Sequence, residues 1–219
     1  MRTRRRNRRG FSLIEIAISL AILAVILGSL GLVMQRGMGL FRTRSATSDI
    51  ETRAARGLDR MVRELRAAAS ATVTDVTTPL GAPKFWAASL DYCPAVDWKD
   101  DALELGPARR LELVLAPGEL KNGLDDNGDG LADEGQVLLV LDPGGPLEES
   151  TVLATRVRAE LGGELPNGLD DNGNGLVDEA GLCFDQEQGL LTIRLSVEGI
   201  GPSGEPIVRT FEDALVLRN

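Results

Sequence analysis

Between Phe11 and Met34 the chain reads FSLIEIAISLAILAVILGSLGLVM, 24 residues that are apolar apart from three Ser and one acid, Glu15. No other stretch limits the fold so tightly, because a helix apolar on every side must be covered on every side. At the helical rise of 1.5 Å per residue it spans about 36 Å, enough to cross a bilayer with some tilt. Six of the first ten residues are Arg: Arg2, Arg4, Arg5, Arg6, Arg8 and Arg9. Such a cluster stays cytoplasmic, which sends the remainder of the chain outward. A secretory signal peptide has a shorter apolar core and rarely carries a carboxylate five residues into it.

Charge is the next constraint. Six of the 24 Lys and Arg sit in that leader, so the rest of the chain sets 18 bases against 33 acids. An acidic body is unsuited to nucleic acid and suited to cations. His is absent altogether, which removes His triads, His zinc sites and the usual proton carrier near neutral pH. Neither GxSxG nor a GxxxxGKS/T loop occurs, and the chain reads as a non-enzyme without a small-molecule substrate. Cys93 and Cys183 are far apart and form no CxxC. In an oxidising compartment they can pair, closing a loop worth about 4 kcal/mol on chain-entropy grounds. Two buried thiols acting as small apolar groups are the alternative.

A charge near the top of an apolar span is costly unless something neutralises it. Cleavage after Gly10 creates a new amino terminus at Phe11 and makes Glu15 the fifth residue of the mature chain. That carboxylate can then pair with the amine of a neighbouring subunit. The segment RRG-FSLIEIAISLAILAVIL resembles the prepilin-type cleavage and methylation segment of type IV pilins and type II secretion pseudopilins. The resemblance implies that a prepilin peptidase cuts after Gly10 and methylates Phe11, with Glu15 as the assembly carboxylate. It further implies other pilins or pseudopilins as partners. The expected setting is a single pass through a bacterial inner membrane, with the body in the periplasm or on an extracellular filament.

Beyond the span, Ile50, Ala54, Leu58, Met61, Leu65 and Ala68 recur at helical spacing with Arg and Glu between them. That is one apolar stripe. The reading is a basic leader over 1–10, an assembly helix over 11–36 and an amphipathic second half over 37–70, with Gly37 and Gly39 loosening the junction. From 71 to 219 helical periodicity gives way to strand-like runs at 110–116, 136–142, 151–159 and 191–199, with turn chemistry at 201–206 before a last run. In the clearest run Ile193, Leu195 and Val197 point inward and Arg194, Ser196 and Glu198 outward. Trp86, Tyr92 and Trp98 are expected core anchors. The fold class is therefore α+β, a long helix packed on a β-rich, pilin-like body. No Pro interrupts the span and no Cys pair closes the carboxyl-terminal end, both of which favour a minor subunit. The K-type pseudopilin typically lacks the carboxylate that Glu15 provides. In outline the chain most resembles a J-type minor pseudopilin or a W-type minor pilin, with a pilus-displayed adhesin or substrate-binding module as the alternative.

One motif occurs twice. NGLDDNGDGLADEG at 122–135 returns, 45 residues later, as NGLDDNGNGLVDEAG at 167–181. Asp125, Asn127 and Asp129 fall at positions 1, 3 and 5 of a calcium loop, with Gly130 at the sharp turn and Leu131 offering its carbonyl at position 7. The second copy sets Asp170, Asn172, Asn174, Gly175 and Leu176 in the same places. The bidentate Glu of an EF-hand is missing, and the acids arrive early, as Asp133–Glu134 and Asp178–Glu179. Asp133 and Asp178 are the first choice to close each site, and Glu134 and Glu179 the rival one. Oxygen donors without thiol or imidazole favour Ca²⁺. Asn-Gly and Asp-Gly also make hairpin turns, but a turn needs two such residues and not three alternating oxygens with two later acids. Carboxylates packed this closely repel one another without a cation.

Overall fold

The computed structural model describes residues 13–69, 74–75, 86–99, 102–187 and 190–217. The described residues fall into two compact units that divide between Arg44 and Ser45. One helix, α1 (Leu13–Leu65), runs without a break through Gly37 and Gly39. Two glycines cost about 1 kcal/mol each and do not by themselves end a long helix. The apolar tract Leu13–Gly39 is long enough to cross a membrane. Its large side chains are exposed, from Ile16 at 48% to Leu13 at 87%.

In the second unit the strands are β1 (Thr74–Asp75), β2 (Trp86–Ala87), β3 (Ser89–Tyr92), β4 (Ala95–Lys99), β5 (Ala102–Leu105), β6 (Arg109–Leu115), β7 (Gly135–Leu141), β8 (Glu149–Val157), β9 (Leu182–Glu187), β10 (Leu190–Ile200) and β11 (Pro206–Val216). Nine of them make one antiparallel sheet in the order β1-β3-β6-β7-β8-β10-β9-β2, with β11 on β10. All five strand-like runs of the sequence are strands within two residues of their expected bounds, and β10 and β11 join through a hairpin at 201–205.

The stripe Ile50, Ala54, Leu58, Met61 and Leu65 is buried together with Leu111, Val137, Val157, Leu182, Ile193 and Leu195 in one core. Close contact is possible because Gly57 has no side chain. A Cβ there would meet the Ala154 Cβ at 2.8 Å and the Leu153 carbonyl oxygen at 3.2 Å. At the end of the helix, Glu64 accepts hydrogen bonds from the Tyr92 hydroxyl at 3.2 Å and from Arg109. Burial, with the Glu64 charge beside it, holds the Tyr92 phenol above its usual range.

Two expectations need correction. Trp86 and Tyr92 are buried, but Trp98 is 63% exposed. It belongs to the β4–β5 hairpin, which forms a separate two-stranded sheet. On β10, Ser196 and Glu198 are buried rather than outward. Ser196 Oγ accepts from the Gly162 amide at 2.7 Å and shares a hydrogen bond with Thr210, so the segment leading into the second acidic loop covers that face. As for the two cysteine readings, no disulfide joins Cys93 and Cys183. Cys183 packs with Trp86 and Leu176 in a small cluster of their own, and burial pushes its thiol up to about 12. A thiol so rarely ionised is a poor nucleophile.

Candidate functional site: the twin acidic loops

Each acidic segment joins two strands, β6 to β7 and β8 to β9. Neither is flanked by helices. Both are built on one backbone plan, closed at the base by Ala116 N–H to Glu134 C=O at 2.9 Å and by Leu161 N–H to Glu179 C=O at 2.7 Å. Gly130 and Gly175 take φ of 92° and 88°, the left-handed region that position 6 of a calcium loop requires.

The alternating oxygens organise the turn. Asp125 Oδ1 accepts from the amides of Gly128 (2.6 Å) and Asp129 (3.1 Å), and its Oδ2 from Gly130 (2.8 Å). Asp170 does the same for Gly173, Asn174 and Gly175. Asn127 and Asp129 each accept from the amide two residues on, as do Asn172 and Asn174. The Leu131 and Leu176 side chains are buried and pin the far side of each loop.

The two late acids separate sharply in role. Asp133 sits at φ 56° and Asp178 at φ 51°, a conformation Asp tolerates better than most residues. Their carboxylates accept from the amides of Asn122 and Gly123, and of Asn167 and Gly168, and so tie the loop mouth to its base. Glu134 and Glu179 are 1% and 0% exposed. Oε1 of Glu134 accepts from the Asn127 amide group at 2.7 Å, and Oε1 of Glu179 from that of Asn174. The second oxygen of each, Oε2, is buried without any hydrogen bond. A buried carboxylate oxygen left unpaired is costly, and the same cost recurs at the same place in both loops. Burial, with Asp129 and Glu119 adding like charge, raises the Glu134 carboxyl above its ordinary value.

Two residues escape the motif as first read. Glu119 is 5% exposed and Glu164 2%. Glu119 accepts from the amides of Asp126, Asn127 and Asp133, while Glu164 accepts from those of Asn172 and Asp178. The signal for them is in the sequence, because the repeat begins four residues earlier than Asn122 would suggest: GELKNGLDDNG at 118–128 matches GELPNGLDDNG at 163–173. Burial raises the Glu164 carboxyl. Among the described residues, no three acid or thiol side chains already stand as a metal-holding group. The position 1 and late Asp carboxylates are turned to backbone amides instead.

Of the remaining candidates, Gly10 and Phe11 lie outside the described residues. Glu15 stands in the first turn of α1, where a carboxylate suits the positive end of the helix dipole. A basic leader, a Gly–Phe junction, an acid five residues on and an exposed apolar helix now stand together. The chain carries the prokaryotic N-terminal methylation motif. The match covers residues 5–31, and with the apolar helix it supports a type IV pilin-like precursor anchored in a membrane. A pilin-like motif suggests assembly with other pilin subunits. No curated protein and no solved structure matches the chain.

Proposed function

We propose that this pilin-like precursor is a non-catalytic minor pilin or pseudopilin, contributing structure to the tip or initiation complex of a filament. The observation that carries the reading is the methylation motif set directly on an exposed apolar helix. In this reading prepilin peptidase removes residues 1–10 in the inner membrane, Phe11 becomes the N-methylated terminus, and Glu15 meets the terminal amine of a neighbour. The strand-rich body then faces the periplasm or the filament surface, where a long helix beneath an antiparallel sheet supports a J-type or W-type subunit. The lack of His and of nucleophile motifs supports a structural role.

Ca²⁺ belongs to this reading as a strut in each loop. The fit rests on the unpaired Glu134 and Glu179 oxygens and on an all-oxygen donor set. Asp125, Asn127, Asp129, the Leu131 carbonyl and Glu134 would hold the first ion, and Asp170, Asn172, Asn174, the Leu176 carbonyl and Glu179 the second. Asp133 and Asp178, occupied at the loop mouth, are better suited to shaping the site than to closing it. A bound divalent ion supplies the positive charge that these crowded carboxylates lack.

Intact-mass measurement of the membrane-extracted protein tests the core of the proposal. Loss of residues 1–10 with one added methyl group is expected. A chain retaining its leader in cells with active prepilin peptidase sinks it.

A further inference from the structure

Strand β8 pairs along its whole length with β7 but touches β10 at a single bridge, Val157 to Val197. Two irregularities in the β7–β8 ladder, at Gly135/Gln136 and Val137/Leu138, account for the divergence, since bulges bend and twist a strand away from its neighbour. Among the described residues, Glu149–Arg156 therefore have no ladder partner on their second edge. Exposed edges are normally blunted by Pro, Lys or inward charge. This one reads ESTVLATR, rich in β-branched residues, with no Pro and no Lys.

Beside it runs a row of arginines. Arg53, Arg56, Arg60 and Arg63 recur at helical spacing on α1, and with Asp59 and Val152–Thr155 they line an open groove of about 560 Å³. Asp49 and Asp59 pair with Arg53 and Arg63 at 2.9 and 2.7 Å. Arg56 and Arg60 have no ion pair among the described residues. On a body with 18 bases against 33 acids, this cationic row is out of character.

We infer that the β8 edge is a docking site for an extended acidic segment of a partner protein, which adds a strand to the sheet while its carboxylates meet Arg56 and Arg60. Backbone pairing gives affinity and the arginines give charge selectivity, the division of labour of strand addition. Val152, 42% exposed, offers an apolar contact between them. The inference is independent of leader processing and of the acidic loops.

The test uses the processed full chain in detergent micelles and a fluorescent ten-residue peptide alternating Thr and Glu. Saturable binding is expected, weakened at least tenfold when Lys replaces Glu in the peptide. Arg56→Glu with Arg60→Glu should weaken it at least tenfold too, at an unchanged thermal midpoint, because both side chains are exposed. A central Pro in the peptide should abolish binding, and bound peptide should slow hydrogen exchange in the amides of residues 150–156. Equal binding of the Lys peptide, or no protection in β8, overturns the proposal. So does an outcome in which the double variant loses binding only to phosphatidylglycerol vesicles while the acidic peptide never binds.

Discussion

The two acidic loops share a backbone plan, a closing hydrogen bond, a buried framework Glu and an unpaired Glu oxygen, yet they are held to the body differently. The second is tied down by the apolar cluster of Trp86, Leu176 and Cys183, and Trp86 Nε1 donates to the Val177 carbonyl at 2.9 Å. The first, besides its buried Leu131, adds a charge contact: Arg156 reaches Asp129 at 3.4 Å, and Asp129 is an acid where its counterpart Asn174 is neutral. Near-identical sequence thus gives one loop with an added apolar anchor and one with an added ion pair. The first should depend more on its cation and the second more on its packing.

The largest effect should come from removing Ca²⁺. If each loop holds the proposed ion, free Ca²⁺ a hundredfold above Kd adds about 2.7 kcal/mol per site. For a body of this size that amounts to roughly 10–20 °C in thermal midpoint for two sites. Chelation of the processed protein in detergent should lower the melting transition accordingly, and no change would remove the strut role. The pH dependence should also reverse. Glu134, Glu164 and Glu198 all have carboxyls raised by burial. A raised folded-state value stabilises below the unfolded value, about 4.3 for Glu, and that stabilisation is lost as pH rises through the folded value. Chelated protein should therefore lose stability as pH rises across this window. Ca²⁺-loaded protein should gain it, because protons and cation compete for the same oxygens.

Trp86→Ala comes next. Truncating a buried Trp costs about 3–5 kcal/mol, and here the loss falls on the second loop. Hydrogen exchange should accelerate at residues 167–179 and stay near native at 122–134. Equal acceleration in both would show that the anchoring is shared. A smaller effect should follow from exchanging the position 5 residues. Asp129→Asn should weaken the first site and Asn174→Asp strengthen the second, by about tenfold each, or about 1.4 kcal/mol, since ligand charge tunes affinity in such loops. Titration calorimetry resolving two sites checks whether their order inverts in the double exchange.

Much of this was legible in the sequence because the underlying physics is local. An apolar run of one length, a stripe at helical spacing and alternating apolar residues each dictate an element wherever they occur, and α1, β6, β7, β8, β10 and β11 follow from them. What was not legible depends on contacts between distant segments. Ser196 and Glu198 look outward by alternation, and only the return of the chain at Gly162 buries them. Trp98 has the composition of an anchor but lies on a hairpin that never joins the main sheet. The short strands β2 and β9 take their place from pairing with each other and with β10, not from any periodicity of their own. Glu119 and Glu164 were legible in principle, and the shorter frame of the repeat hid them. The difference between Glu134 and Asp133 was not, because adjacent acids in one loop differ only in which of them the fold buries.

The finest test of the comparison is Arg156→Met, which keeps the side-chain stem and deletes its charge. The Arg156–Asp129 pair is partly exposed, with side chains 38% and 31% accessible, so solvent and salt screen it and its loss should cost under about 1 kcal/mol. Without Ca²⁺ the variant should be slightly less stable, because Asp129 loses its nearest cation. With Ca²⁺ the sign should invert at the first site. A guanidinium beside a cation ligand repels the ion, and its removal should tighten binding there by a few-fold while leaving the second site unchanged. Equal shifts at both sites would mean that Arg156 acts through the long-range field of the body and not through Asp129. The first loop would then lose its claim to be set apart by an ion pair.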